Sequence, residues 1–287
     1  MKRRPARSAL YIAVIVTALG GGALVMHASH AAPGSSAFAS GATVAGQIEG
    51  LTQSATSSQG EAAFPDPEAH GGALAASLSL IRQLKASGDH DGLYRIVTLL
   101  ASPNSPQGLP VARQLLSDRD PALRETGIDI LTGHSLTDPE VHALALQTLH
   151  TEQDSQVLVH LLGKLDAPID LYGKDAEMLG ALHGLLASRS PDVRAQSMLQ
   201  LLQWDEFGNL EGFVYQSLND SSPAVRLSAA TVIGLIDTRS ETLKSALITL
   251  RDNPQESPDL RETAASAINR INLMQQDARN DARTAGI

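Results

Sequence analysis

Asp220-Ser-Ser-Pro223-Ala-Val-Arg226-Leu-Ser-Ala-Ala-Thr-Val-Ile233 is the stretch whose reading decides the fold. Its proline stands where the first turn of a helix tolerates one, and apolar residues then recur at helical spacing. The same opening returns as Pro121-Ala-Leu-Arg124, Pro191-Asp-Val-Arg194 and Pro258-Asp-Leu-Arg261. Two positions after the prolines stand Leu123, Val193, Val225 and Leu260, and ten after them Leu131, Leu201, Ile233 and Ile268. A fifth copy, Asp154-Ser155-Gln156-Val157, lacks the proline and the arginine but keeps Val157, Leu161, Leu162 and Leu165 in the same columns. Starts at 121, 155, 191, 223 and 258 lie 34, 36, 32 and 35 residues apart. A period near 34 residues with two helices per unit marks a stacked solenoid, in which each hairpin buries its apolar face on its neighbours.

The periodicity predicts first helices near 108–117, 139–150, 175–187, 209–219 and 240–251. Second helices are expected near 121–133, 154–165, 191–203, 223–236 and 258–273. Ala69 to Ala101 supplies a further, N-terminal hairpin turning at Gly88-Asp89-His90-Asp91. Composition agrees: 43% of the 287 residues are hydrophobic but only 3% aromatic, with Ala and Leu abundant, which favours helix over strand.

The chain opens with Lys2, Arg3, Arg4 and Arg7, followed by an uncharged run from Ser8 to Met26 and then Ala28-Ser29-His30-Ala31-Ala32. This is the order of an export signal, with the basic residues held in the cytoplasm. Ala9 to Met26 spans roughly 27 Å as a helix, between a long signal peptide and a short membrane span. Residues 1–31 therefore read as a signal peptide cleaved near Ala31, or as an anchor crossing the inner membrane at about 9–26. Residues 32–67 are rich in Ala, Gly and Ser and read as a disordered tether. Residues 68–273 form the solenoid and 274–287 a frayed tail. The expected location is the periplasm, with membrane contact only through the N-terminal helix.

Export removes four basic residues and leaves 18 of the 22 Lys and Arg against 31 Asp and Glu, a net charge of −13. Such a surface repels phosphate backbones, so no nucleic acid is expected. The chain has no cysteine, which removes disulfides, thiol chemistry and Cys-ligated metals.

The order of leucine-rich helix, Asp-x-x-Pro-x-[Val/Leu]-Arg and alanine-rich helix resembles the bacterial HEAT-like repeat over about residues 70–273. The resemblance implies an all-α, right-handed α-solenoid of five to six HEAT-like hairpins, an armadillo-like superhelix with a habit of binding proteins. It also implies a structural ladder between repeats, with Asp118 and Asp220 matching the turn aspartate and Arg124, Arg194, Arg226 and Arg261 the helix arginine. Ser188, Glu152 and Gln255 stand where the turn aspartate is missing, so the ladder is expected to break there. In such stacks the second helices line the concave face. Its outward columns would be Glu125, Thr126 and Asp129, then Gln196 and Gln200, then Ser228 and Thr231, then Glu262, Thr263 and Ser266.

Little in the sequence points to chemistry. His134, His142 and His150 recur every eight residues, about 12 Å apart along a helix, too far to share an ion, and His160 and His183 follow without an i, i+4 partner. Gly133-His134-Ser135-Leu136-Thr137 resembles half of a nucleophile elbow but lacks the second glycine, and Ser135-Leu-Thr-Asp138-Pro139 reads as a helix start. Asp166, Asp170, Asp175 and Glu177 lie in a loop with Lys164 and Lys174 nearby, where nothing would shift a carboxylate toward acid/base work. Catalytic residues, metal and cofactor are all expected to be none.

Four of the nine aromatics fall between Trp204 and Tyr215. The columns assign Trp204 and Phe213 to the core, and Phe207 and Tyr215 to partner contact. The expected function is an exported or membrane-tethered, non-catalytic scaffold that binds a protein or peptide through the solenoid surface. The alternatives are an enzyme or small-ligand carrier on a helical-repeat fold, and a structural spacer in the cell envelope.

Overall fold

The computed structural model describes residues 67–284 apart from 169–170, 172–173 and 206–209. Twelve helices occupy these residues: α1 (Pro67–Ser87), α2 (His90–Leu100), α3 (Gly108–Leu116), α4 (Pro121–Leu131), α5 (Pro139–Thr151) and α6 (Ser155–Lys164). The chain continues with α7 (Ala176–Leu185), α8 (Pro191–Trp204), α9 (Glu211–Leu218), α10 (Pro223–Leu235), α11 (Glu241–Asp252) and α12 (Pro258–Thr284). They pair into six antiparallel hairpins, and the protein is an all-α, solenoid-like stack.

Local chemistry sets the helix starts. Proline occupies the first turn of α4, α5, α8 and α10. Asp89, Asp120, Asp138, Asp154, Asp175, Ser190 and Ser240 each accept a backbone amide at an N-cap, satisfying donors that a helix start leaves unpaired. In the first hairpin the chain reverses at Gly88, whose φ of 70° is a left-handed value that favours a residue without a Cβ. Ser135 serves a turn: its hydroxyl lies 2.8 Å from that of Thr137, while Asp138 caps α5.

Two layers result. The second helices α2, α4, α6, α8, α10 and α12 pack in one continuous row, and the first helices form a looser row behind them. The second helices form the tighter of the two rows, called the inner row below. The core fills the space between the layers, and the repeat columns supply it. Leu131, Leu201, Ile233, Val157, Leu161 and Leu162 are all fully buried. Gly127 marks a close approach within the second hairpin, since a Cβ there would sit 3.0 Å from both the Leu115 Cβ and the Leu116 amide.

The last helix runs on to Thr284, through residues that composition reads as a frayed tail. Gln275 explains part of the continuation. Its amide donates to Glu241 at 2.6 Å and to the Arg239 carbonyl at 3.3 Å, and its oxygen accepts from Lys244 at 3.3 Å. Among the described residues no helix is long and apolar enough to cross a membrane. The candidate signal or anchor helix and most of the tether lie outside the described residues.

Candidate binding surface and the ladder beside it

The turn inside each hairpin forms one edge of the stack, and a row of charged pairs runs along it. Arg124 Nε and Nη2 donate to Glu152 at 2.7 and 3.0 Å, while its Nη1 reaches back to the Asp118 carbonyl at 3.0 Å. Arg194 repeats this with Asp220 at 2.9 and 2.7 Å and the Ser188 carbonyl at 2.8 Å. Arg226 donates to Glu256 at 2.6 Å and to the Asp220 carbonyl at 2.7 Å. Each arginine thus ties its own turn to the next hairpin's turn, from a side chain only 15 or 16% exposed.

The ladder differs from its expected form in four ways. Glu152 does not break it, because its longer side chain fills the role of the missing aspartate. Gln255 does not break it either, because the adjacent Glu256 accepts from Arg226 instead. Asp118 belongs to the first junction, where Arg82 of α1 donates to it at 2.9 Å and Lys85 reaches Thr126 at 2.9 Å. Arg261, in the last of the described hairpins, donates instead to the Arg251 carbonyl at 3.0 Å. Only Ser188 breaks the row as expected: opposite it, the arginine column of α6 holds the buried Leu158.

These contacts fix the protonation states. The backbone amide of Asp120 and then Arg82 hold the Asp118 carboxyl below the usual range. Burial pushes Glu152 up, but hydrogen bonds from Arg124 and the Asp154 amide outweigh it and leave the carboxyl lowered. The hydrogen bond from Arg194 is the main reason Asp220 is lowered.

The candidate contact residues divide on the structure. Glu125 and Gln196 are half-buried on the inner row, and Glu262 is exposed there. Thr231 is half-buried with its hydroxyl donating to the Leu227 carbonyl at 2.9 Å. Asp129 is held by His160 at 2.9 Å and Lys164 at 3.2 Å, partners that the repeat columns do not reveal. Burial pushes its carboxyl up, but the hydrogen bond from His160 and the charge of Lys164 beside it outweigh burial and leave it lowered. Gln200 is not outward: it is 3% exposed and accepts the indole N–H of the fully buried Trp204 at 3.2 Å. Thr126 and Ser228 are likewise buried. Tyr215 is 44% exposed but sits on α9, in the other layer. Phe207 lies outside the described residues.

The histidines have separate structural partners. His134 Nε2 lies 3.1 Å from the Leu100 carbonyl, His142 2.6 Å from Asp175, His150 Nδ1 2.7 Å from the Leu146 carbonyl, and His183 stacks on Phe213 at 4.3 Å. Among the described residues no three His, Cys, Asp or Glu side chains are grouped to hold a metal ion. Of the acidic loop, Asp175 caps α7 while bound to His142, Glu177 is exposed, and Asp170 lies outside the described residues.

A solvent-open cleft of about 980 Å³ lies between the extension of α12 and the loop before α11, lined by Glu211, Asp237, Arg239, Arg270 and Asp277 among others. Its charges are largely committed: Arg270 pairs with Asp237 at 2.8 Å and Arg239 donates to the Met274 carbonyl at 3.1 Å.

No protein-family model matches the chain, and no curated protein matches it. A solved structure that it resembles is an engineered protein from the Northeast Structural Genomics Consortium. That likeness is at 16% identity and a TM-score of 0.43, covering 81% of this chain and 97% of the other.

Proposed function

We propose that this chain is a non-catalytic scaffold of HEAT-like repeats, exported to the periplasm or tethered there by residues 9–26. It binds a protein or peptide along the inner row of second helices. The observation that carries the reading is the division of labour among polar side chains. Charged groups at the turn edge tie hairpins together, while Glu125, Gln196, Thr231 and Glu262 stand half-buried or exposed on the second helices of the second, fourth, fifth and sixth hairpins. A surface that spans several repeats suits an extended partner better than a small molecule, for which a concave pocket with a few converging polar groups is the usual form. Tyr215, on the outer layer, is not part of this surface.

The test is affinity capture of the tagged full-length chain from the envelope of its source cells, with mass spectrometry of both the captured material and the mature N-terminus. A defined protein partner supports the scaffold. A retained small molecule supports a carrier, for which the cleft beside α12 is the site to examine. A start at Ala32 identifies a cleaved signal peptide, and an intact N-terminus an anchor.

A further inference from the structure

The ladder has one gap, and its place in the stack is informative. At the turn edge, Arg82–Asp118 ties the first junction, Arg124–Glu152 the second, Arg194–Asp220 the fourth and Arg226–Glu256 the fifth. Among the described residues, the junction between the third and fourth hairpins has no side-chain tie at that edge. Leu158 fills the arginine position of α6 and is 6% exposed. Ser188 fills the carboxylate position and is spent within its own turn, accepting the Ser190 amide at 3.2 Å.

The opposite edge of the same junction is held. His142, near the start of α5, lies 2.6 Å from Asp175, which caps α7. Their side chains are 22% and 8% exposed. One edge is therefore fastened and the other is joined by packing alone. A junction fastened along one edge opens most easily about that edge, because van der Waals contacts tolerate small sliding that a bidentate ion pair does not.

We infer that the junction between the third and fourth hairpins is the hinge of the solenoid. The hairpins from α1 to α6 move as one block against those from α7 to α12, opening at the turn edge about the line marked by His142 and Asp175. Asp129 and His160 of the inner surface lie on the first block, and Gln196, Thr231 and Glu262 on the second. Opening changes the spacing between these two groups without disturbing either. The inference concerns the stack itself and stands whether or not that surface binds a partner.

The chain has no native cysteine, so spin labels can be placed by single substitutions in the full-length protein. Arg119, Arg189 and Gln255 are exposed turn residues on the second, fourth and sixth hairpins. The pair R119C/R189C spans one tied junction and the untied one; R189C/Q255C spans two tied junctions. Double electron–electron resonance should give a distance distribution about twofold broader for the first pair than for the second. Adding L158R with S188D, which rebuilds the missing rung, should narrow the first distribution to the width of the second. Equal widths for the two pairs overturn the inference, as does a rebuilt rung that folds, shows the new ion pair and leaves the width unchanged. Should the buried arginine unfold the chain, which circular dichroism would reveal, the comparison of the two label pairs in the native background still decides.

Discussion

Replacing Arg194 with alanine should cost more stability than replacing any exposed arginine of this chain. The guanidinium makes two hydrogen bonds to Asp220 and reaches the carbonyls of Ser188 and Arg189. Both partners are largely sheltered, at 15 and 17% exposure. Two unit charges about 4 Å apart attract by about 4 kcal/mol at an effective dielectric of about 20, and desolvation of both groups offsets a large part of this. Truncation leaves Asp220 with its Ser222 amide but without a counter-charge. A loss of about 2 to 3 kcal/mol follows for charged hydrogen bonds in this setting. For a body of this size that corresponds to a fall in Tm of about 4 to 12 °C. Arg261→Ala is the matched control, since Arg261 donates only to the Arg251 carbonyl from an exposed position, and it should cost under about 0.5 kcal/mol. Thermal unfolding followed by circular dichroism measures both. Equal Tm values for the two variants would refute the reading that position in the ladder sets the energy.

Three further outcomes are expected. Trp204 is fully buried with its indole N–H on Gln200, so Trp204→Ala should destabilise by about 3 to 5 kcal/mol and Gln200→Ala by about 1 to 3, measured by urea unfolding. Glu152 and Asp220 have folded pKa values below their ordinary 4.5 and 3.8, so the stability they contribute is complete above that range and is lost as pH falls through the lowered values. The urea midpoint should therefore drop between pH 5 and pH 3, roughly the window in which such carboxylates take up protons, and a midpoint that holds or rises would contradict it. Tyr215 is exposed on the outer layer, so Tyr215→Ala should change stability by under about 0.5 kcal/mol and leave capture of a partner intact; loss of capture would move the contact surface to the first helices.

The fold was legible because a solenoid repeats its constraints. Leu123, Val193, Val225 and Leu260 occupy one column and are all buried, so a single reading of the spacing placed four contacts at once. The ladder was legible as a set of columns but not in its partners. A search for aspartate at one fixed position passes over Glu152 and Glu256, although the arginine fork accepts a carboxylate from a longer side chain or a neighbouring residue. Allowing either acid within one position of the column would have found both. Gln200 was misplaced because helical phase marks a position as half-outward and cannot show that Trp204, one turn on, needs an acceptor for its N–H. The extension of α12 was hidden for a similar reason: residues 274–284 lack an apolar stripe, and its anchoring through Gln275 is polar.

The central claim, that a protein partner lies along the inner row of second helices, is tested most directly by site-specific photo-crosslinking in the cells that make the chain. A photoreactive amino acid is placed at Gln196, Thr231 or Glu262 on the inner row, and at Arg113, Glu177 or Thr242 on the first helices. The account predicts one protein adduct of the same mass from all three inner positions and none from the outer three. Adducts confined to the outer positions, or no protein adduct from any inner position, would contradict it.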